Sequence, residues 1–242
     1  LWPVRLNRNS GPVPDPVAVS TIVTDKGVVE ICKGFPADGK KALVFGLDTS
    51  DPAYQPIYTR KQSLKQLAAA GGTLCLALIG KTRIIGYAVI GPPSQNSRWA
   101  RADFPAIQEL KAVEVARPFR NRGIAGSLLT CLFSGSDFSG HIVVLSAYAW
   151  LWDMAHTDLS CWAYREMLMA LYARFGFESF QTNEPNVCLK PENIFMARIG
   201  QQVSLEDRER FKWLRFGIPS PIKNSFGGKT VEHSEKNSYF RE

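Results

Sequence analysis

The sequence predicts an α/β fold, and three observations carry that expectation. Two apolar, strand-like runs, Thr73 to Ile79 and Arg83 to Ile90, are joined by Gly80-Lys81-Thr82, which is a hairpin signal. Glu109 to Leu129 begins as a strand at Ala112, Val113 and Val115, breaks at Pro118, and continues with Ile124, Leu128 and Leu129 at helical spacing. A strong strand at His141 to Ala147 then precedes a helix from about Ser160 to Arg174, whose Tyr164, Leu168, Leu171 and Phe175 share one face before Gly176 ends it.

The remaining elements follow in chain order. Residues 1 to 24 read as an irregular N-terminal arm, with Pro3, Pro12, Pro14 and Pro16 among them. Val28 to Cys32 is a first strand, and Lys40 to Leu47 reads as part of a helix or a short strand. Asp48 to Gln55 is a loop, and Thr59 to Ala70 a helix stopped by Gly71-Gly72. Pro92 to Asn96 forms another loop ahead of the Glu109 strand, and the Gly/Ser-rich residues 134 to 140 form a turn. Phe177 to Gln181 and Asn193 to Ile199 read as a last pair of strands. Ser204 to Leu214 is a final helix capped by Ser204, and residues 218 to 242 are polar enough to read as a flexible tail.

Composition sets bounds on function. The 242 residues suffice for one full core, and 45% hydrophobic with 21% charged residues describes an ordinary globular protein. A net charge of +7 favours an anionic partner without naming it. Cysteines at 32, 75, 131, 161 and 188 form no Cys-x-x-Cys pair, so free thiols are expected and a metal site is not. No run is long enough to span a membrane; Ile142 to Trp152 is too short and is interrupted by Ser146. The chain opens at Leu1, which reads as a trimmed product, and without a signal pattern cytoplasm is the default location.

The chemically suggestive stretch is Arg120-Asn121-Arg122-Gly123-Ile124-Ala125-Gly126-Ser127, where the strand turns into the helix. Small residues let the backbone turn tightly, and the free N–H groups of a helix start favour a pyrophosphate. Lys111, Arg117, Arg120 and Arg122, against the single Glu114, are expected to add local positive charge.

Arg120, Gly123 and Ala125 fill the (Gln/Arg)-x-x-Gly-x-(Gly/Ala) pattern, and the stretch resembles motif A of the GNAT acyltransferases. Ala170 to Phe177 similarly resembles that superfamily's motif B. YAWLWD at Tyr148 to Asp153, WAYREM at Trp162 to Met167, Thr182 to Pro185 and the run Met196 to Phe216 are similar to one bacterial branch, the acetoin-utilisation acetyltransferases. The resemblance covers roughly residues 60 to 217 and implies a GNAT fold, with a mixed, mostly antiparallel sheet flanked by helices, over residues 25 to 217. It implies acetyl-CoA as co-substrate, its pyrophosphate on the amides of Arg120 to Ser127 and its pantetheine arm along Val113 and Val115. For the acetoin-utilisation branch it implies acetylation of a lysine on acetyl-CoA synthetase, with no part for metal, nucleic acid or membrane.

Transfer of an acetyl group to lysine requires a base, since the amine is almost wholly protonated at neutral pH. Glu109 is the first choice, being eleven residues before Arg120, the offset of the base in histone-type relatives, and sharing strand parity with Val113 and Val115. Glu114 is the second; plain alternation puts it on the opposite face, and a bulge of the kind this fold carries would reverse that. By the same resemblance Tyr172 protonates the leaving thiolate, while a backbone amide near Val113 stabilises the oxyanion. Trp150, Trp152, Trp162 and Tyr164 either wall a groove or fill the core. Asp153, Glu166 and Glu184 are candidates for receiving a basic peptide. The alternatives are acetylation of a small amine and a non-catalytic acyl-CoA-binding regulator.

Overall fold

The computed structural model describes residues 18–35, 43–51, 54, 56–134 and 138–219. Residues 1–17 of the expected arm and 220–242 of the expected tail lie outside them. Ala18–Thr24, assigned to the arm from sequence, instead form strand β1, which pairs antiparallel with β2 (Gly27–Lys33). The turn between them is closed by Thr24, whose hydroxyl donates to the Gly27 carbonyl at 2.7 Å.

Seven more strands complete a nine-stranded sheet: β3 (Val44–Phe45), β4 (Thr73–Ile79), β5 (Arg83–Gly91), β6 (Ile107–Val115), β7 (Ile142–Ala147), β8 (Glu178–Ser179) and β9 (Ile194–Ile199). Their order is β1-β2-β4-β5-β6-β7-β9-β8, with β3 beside β5. Among the described residues only β3–β5 and β6–β7 run parallel, so the sheet is mixed and mostly antiparallel, as expected. Lys81, at φ 62°, and Gly80, at φ 59°, supply the left-handed turn of the β4–β5 hairpin.

Helices α1 (Lys61–Ala69), α2 (Arg98–Arg101), α3 (Ile124–Phe133), α4 (Cys161–Ala173), α5 (Pro185–Cys188) and α6 (Leu205–Leu214) flank the sheet. Two of these, α2 and α5, are single turns too short to leave a periodic signal. Ser160 and Ser204 cap α4 and α6 by accepting from the Ala163 and Asp207 amides.

Strand alternation sorts side chains between two cores. Val143 and Leu145 of β7 and Met196 of β9 join the larger core, with Leu128 of α3, Tyr172 of α4 and Phe177. Ile142, Val144, Phe195 and Ala197 face the other way, against Trp99 of α2 and Phe211 of α6. Helices α3 and α4 share one face, since Phe133 stacks on Phe175 at 6.2 Å and meets Phe177 edge-on at 5.8 Å. All five cysteines are free. Among the described residues, no helix is long and apolar enough to cross a membrane, and no His/Cys/Asp/Glu group is arranged to hold a metal.

Two features of β6 shape everything that follows. Its pairing with β7 runs only from Ile107↔Ile142 to Glu109↔Val144, after which the two strands part. Its pairing with β5 passes from Val89↔Ala112 to Ile90↔Leu110, leaving Lys111 as an extra, bulged residue.

Candidate active site

The parting of β6 and β7 opens a cleft lined by Leu110 to Glu114 on one side and Leu145 to Tyr148 on the other. Tyr54, Ile57, Trp152, Asp153, Tyr164 and Tyr172 complete the lining, around about 670 Å³ of empty space including the open mouth.

The β6 backbone faces this cleft with unused groups. The Ala116 N–H donates to the Ile85 carbonyl at 2.8 Å, so alternation turns the peptide groups of Glu114 and Ala112 toward β5 and those of Val113 and Val115 away from it. With β7 gone from that side, Val113 and Val115 present a bare strand edge, apart from the Val115 carbonyl, which accepts from Arg120 Nε at 3.1 Å.

At the end of the cleft stands the turn into α3. Asn121 and Gly123 both lie in the left-handed region, at φ 60° and 76°. The first helical bond runs from the Ser127 N–H to the Gly123 carbonyl, and no side chain caps the helix. The N–H groups of Gly123, Ile124, Ala125 and Gly126 therefore precede any intrahelical partner. A Cβ on Gly123 or Gly126 would meet no atom within 4 Å, so the turn is open rather than filled by its own side chains. Such a cradle fits the paired phosphates of a coenzyme A nucleotide.

The arginines around it do something other than expected. Arg117 and Arg120 donate to Asp153 at 2.6 Å each, Arg122 to Asp25 at 2.5 Å, and Lys111 pairs with Glu109 at 2.9 Å. Arg117 also reaches Asp51 at 2.8 Å. The basic cluster is thus paired with carboxylates, three of them from distant parts of the chain, and the attraction for an anion falls to the backbone amides. Asp153, whose side chain is 1% exposed, is consequently not available to receive a basic peptide. Burial opposes its charge, but the two guanidiniums outweigh burial and hold its pKa at about 2. Glu184 is likewise occupied, capping α5 through the Val187 amide at 2.7 Å, and Glu166 lies exposed beside Arg165.

The bulge at Lys111 decides where the two candidate bases point. Tyr87, Val89 and Gly91 of β5 share parity, and they stand opposite Glu114, Ala112 and Glu109 respectively. Glu109 and Glu114 therefore lie on one face, and Glu109 does not share the face of Val113 and Val115, as unbroken alternation predicts. That face is the one away from α3, because a Cβ placed on Gly86, whose side alternates with that of Tyr87, would lie 3.3 Å from Leu128 of α3. Glu109 sits outside the cleft, accepting from Lys111 and from the Ser94 amide and hydroxyl at 3.1 Å. Glu114 lies in the cleft, where burial pushes its pKa up while the Tyr54 hydroxyl and Arg120 pull it down.

Tyr172 reaches the same cleft from the α3–α4 side. It is 8% exposed and packs edge-on against Phe177 at 6.0 Å; burial pushes its phenol pKa well up, so it stays protonated. Of the aromatics, Trp152 and Tyr164 wall the cleft with rings 5.2 Å apart, whereas Trp150 and Trp162 are about half exposed. Sequence reading passed over Tyr54, which is 60 residues from Glu114 in a loop without periodicity, and Asn193. Buried Asn193 accepts from the Ala149 amide at 2.8 Å and donates to the Asn186 carbonyl at 2.7 Å, anchoring the turn that leads to Asp153.

No family model matches the chain. The acetoin utilization protein AcuA of Bacillus licheniformis is 31% identical over 194 residues, covering 80% of this chain and 91% of that protein. The AcuA of Bacillus subtilis is 32% identical over 165 residues, 68% and 78% of the two chains. The crystal structure of an acetoin utilization protein from Exiguobacterium sibiricum superposes with a TM-score of 0.68 at 28% identity, over 81% of this chain and 92% of that one. At that identity and coverage, the chain belongs to the family of the acetoin utilization protein AcuA, and its mixed, mostly antiparallel sheet flanked by helices is the architecture that the GNAT resemblance implied.

Proposed function

We propose that this protein is an acetyl-CoA-dependent lysine N-acetyltransferase whose target is an acyl-CoA synthetase, and that transfer is direct, within a ternary complex. The observation that carries the reading is the cleft between β6 and β7, with a bare strand edge along one wall, an open amide turn at its end and an ionisable carboxylate inside. The protein-lysine target rests on the resemblance and on kinship with acetoin utilization proteins.

Acetyl-CoA supplies an activated thioester; the chain's residues do the rest. The amides of Gly123 to Gly126 hold the phosphates, and the Val113 and Val115 edge takes the amide-bearing arm. Glu114, rather than Glu109, is the base: it accepts a proton from the lysine ammonium, directly or through water, leaving a neutral nitrogen to attack the carbonyl carbon. The Val113 N–H is turned toward the developing oxyanion. As the C–S bond breaks, Tyr172 donates its proton to sulfur and is resupplied through water by the proton the acetylated nitrogen sheds. Glu114 and Tyr172 come from opposite faces of the sheet, so amine and thioester meet without competing for one entrance.

The test is incubation with acetyl-CoA and a purified acetyl-CoA synthetase, with acetyl-lysine read by mass, using Glu114→Gln and Tyr172→Phe as controls. Acetylation lost in both variants is expected. Coenzyme A binding without any acetylated synthetase, but with turnover of a small amine, would replace the protein target by a metabolite.

A further inference from the structure

The cleft is roofed by a segment with no part in the reaction so far. Of this segment, Asp51, Tyr54 and Tyr58 lie on the face of the sheet away from α3, and three tethers hold them there. Arg117 pairs with Asp51, the Tyr87 hydroxyl accepts from the Tyr58 amide at 3.0 Å, and it donates to the Tyr58 carbonyl at 3.1 Å. Between those tethers the Tyr54 ring lies 5.4 Å from the guanidinium carbons of both Arg117 and Arg120, and its hydroxyl donates to Glu114 Oε2. Arginines already committed to Asp153 thus fix the ring that fixes the carboxylate.

We propose that Tyr54 is a positioning residue for acetyl transfer: its hydroxyl holds the Glu114 carboxylate turned into the cleft in the free enzyme and yields that place to the acceptor amine. The proposal rests on Glu114 being the base. A carboxylate on a buried strand face has reason to take up a proton; the Tyr54 hydroxyl opposes that most, with help from the Arg120 charge and the Ile57 amide. The amine needs the same lone pairs, so the acceptor must displace the hydroxyl.

A pH readout separates this role from simple packing. The groups facing Glu114 are Tyr54 from the roof, Tyr87 from β5, Tyr164 and Tyr172 from α4, and the Arg120–Asp153 pair. The four phenols are all pushed upward and Asp153 is held at about 2, so Glu114 is the group among them whose ionisation loss of the Tyr54 hydroxyl would move. Removing the Tyr54 hydroxyl destabilises the Glu114 anion, so its ionisation moves to higher pH.

The experiment compares the full chain with Tyr54→Phe in two ways. The acid limb of kcat/KM, which reports the free enzyme, is expected to move up by about one to two pH units, while the limb of kcat moves less and coenzyme A affinity stays unchanged. The Glu114 carboxyl band, identified by infrared difference against Glu114→Gln, is expected to titrate with the same upward shift. An acid limb and a carboxyl titration both unmoved in Tyr54→Phe would overturn the proposal. Full activity in Glu114→Gln would instead dismiss the base assignment, and the infrared titration would still report whether Tyr54 controls the carboxylate. Should Tyr54→Phe fold poorly, Tyr54→Trp, which keeps an aromatic on the guanidiniums and loses the hydroxyl, gives the same two readouts.

Discussion

The Arg120 guanidinium turns inward and donates to Asp153 at 2.6 Å, tying the start of the turn into α3 to the loop before α4. Arg117 shares the same carboxylate, so one buried aspartate closes a two-arginine clamp. Asp153→Ala leaves partly buried Arg120 without its carboxylate and Arg117 with Asp51 alone, and is expected to cost about 2 to 4 kcal/mol, somewhat less than for fully buried pairs because the guanidiniums retain some solvent. The sign with pH is fixed by the depressed pKa: the Asp153 contribution is complete above the unfolded value of 3.8 and is lost as pH falls toward about 2. Chemical denaturation of the two proteins between pH 2 and 6 should show the parent losing its advantage over that acid range.

Glu114 predicts the opposite sign. Its pKa is raised by burial, so the folded state holds the proton to higher pH than the unfolded chain, and stability falls as pH rises from the unfolded pKa through the folded one. Glu114→Gln removes that penalty while its amide oxygen still accepts from Tyr54. Thermal melting at pH 8 should show a gain of about 2 to 4 °C if about 1 kcal/mol is recovered, and no gain near pH 4. A variant that is more stable and inactive is the expected signature of a site holding a costly charge for function.

The elements with strong period or punctuation were legible in the sequence: the β4–β5 hairpin, the strand and turn into α3, α4 ending at Gly176, and the Ser204 cap of α6. What was not legible depends on residues distant in the chain. The bulge at Lys111 exists only in the register with β5, and that register decides which glutamate shares a face with which. The positive charge expected around Arg120 vanished because Asp25, Asp51 and Asp153 arrive from 97, 66 and 33 positions away in the chain, separations no local window spans. Tyr54 carried no signal, since a lone tyrosine in a loop resembles any other.

Gly123 tests the cradle. At φ 76° a Cβ is strained, so Gly123→Ala is expected to cost about 1 to 2 kcal/mol, although no neighbouring atom obstructs the methyl group. The methyl also enters the open side of the turn. Calorimetry should show coenzyme A affinity falling by about tenfold or more, and a dephosphorylated pantetheine fragment losing much less, if the phosphates are what the turn holds.

Glu109 and Glu114 share a sheet face and differ in what surrounds them, which makes the pair a direct comparison. Glu109 is satisfied at the surface by Lys111 and Ser94, away from the cleft lining, whereas Glu114 sits within it. Glu109→Gln is expected to change kcat by no more than about threefold, because the amide keeps the Ser94 contacts and no reacting atom is near. Glu114→Gln removes a proton acceptor from the cleft and should lower kcat by about 10²- to 10⁴-fold, the usual range for a lost general base. Raising the pH, which deprotonates part of the acceptor lysine without help, should recover more of the lost rate in Glu114→Gln than in Tyr172→Phe, whose defect lies in the departing thiolate. Equal recovery in both variants, or a loss in Glu109→Gln as large as in Glu114→Gln, would move the base back to the strand's exposed end.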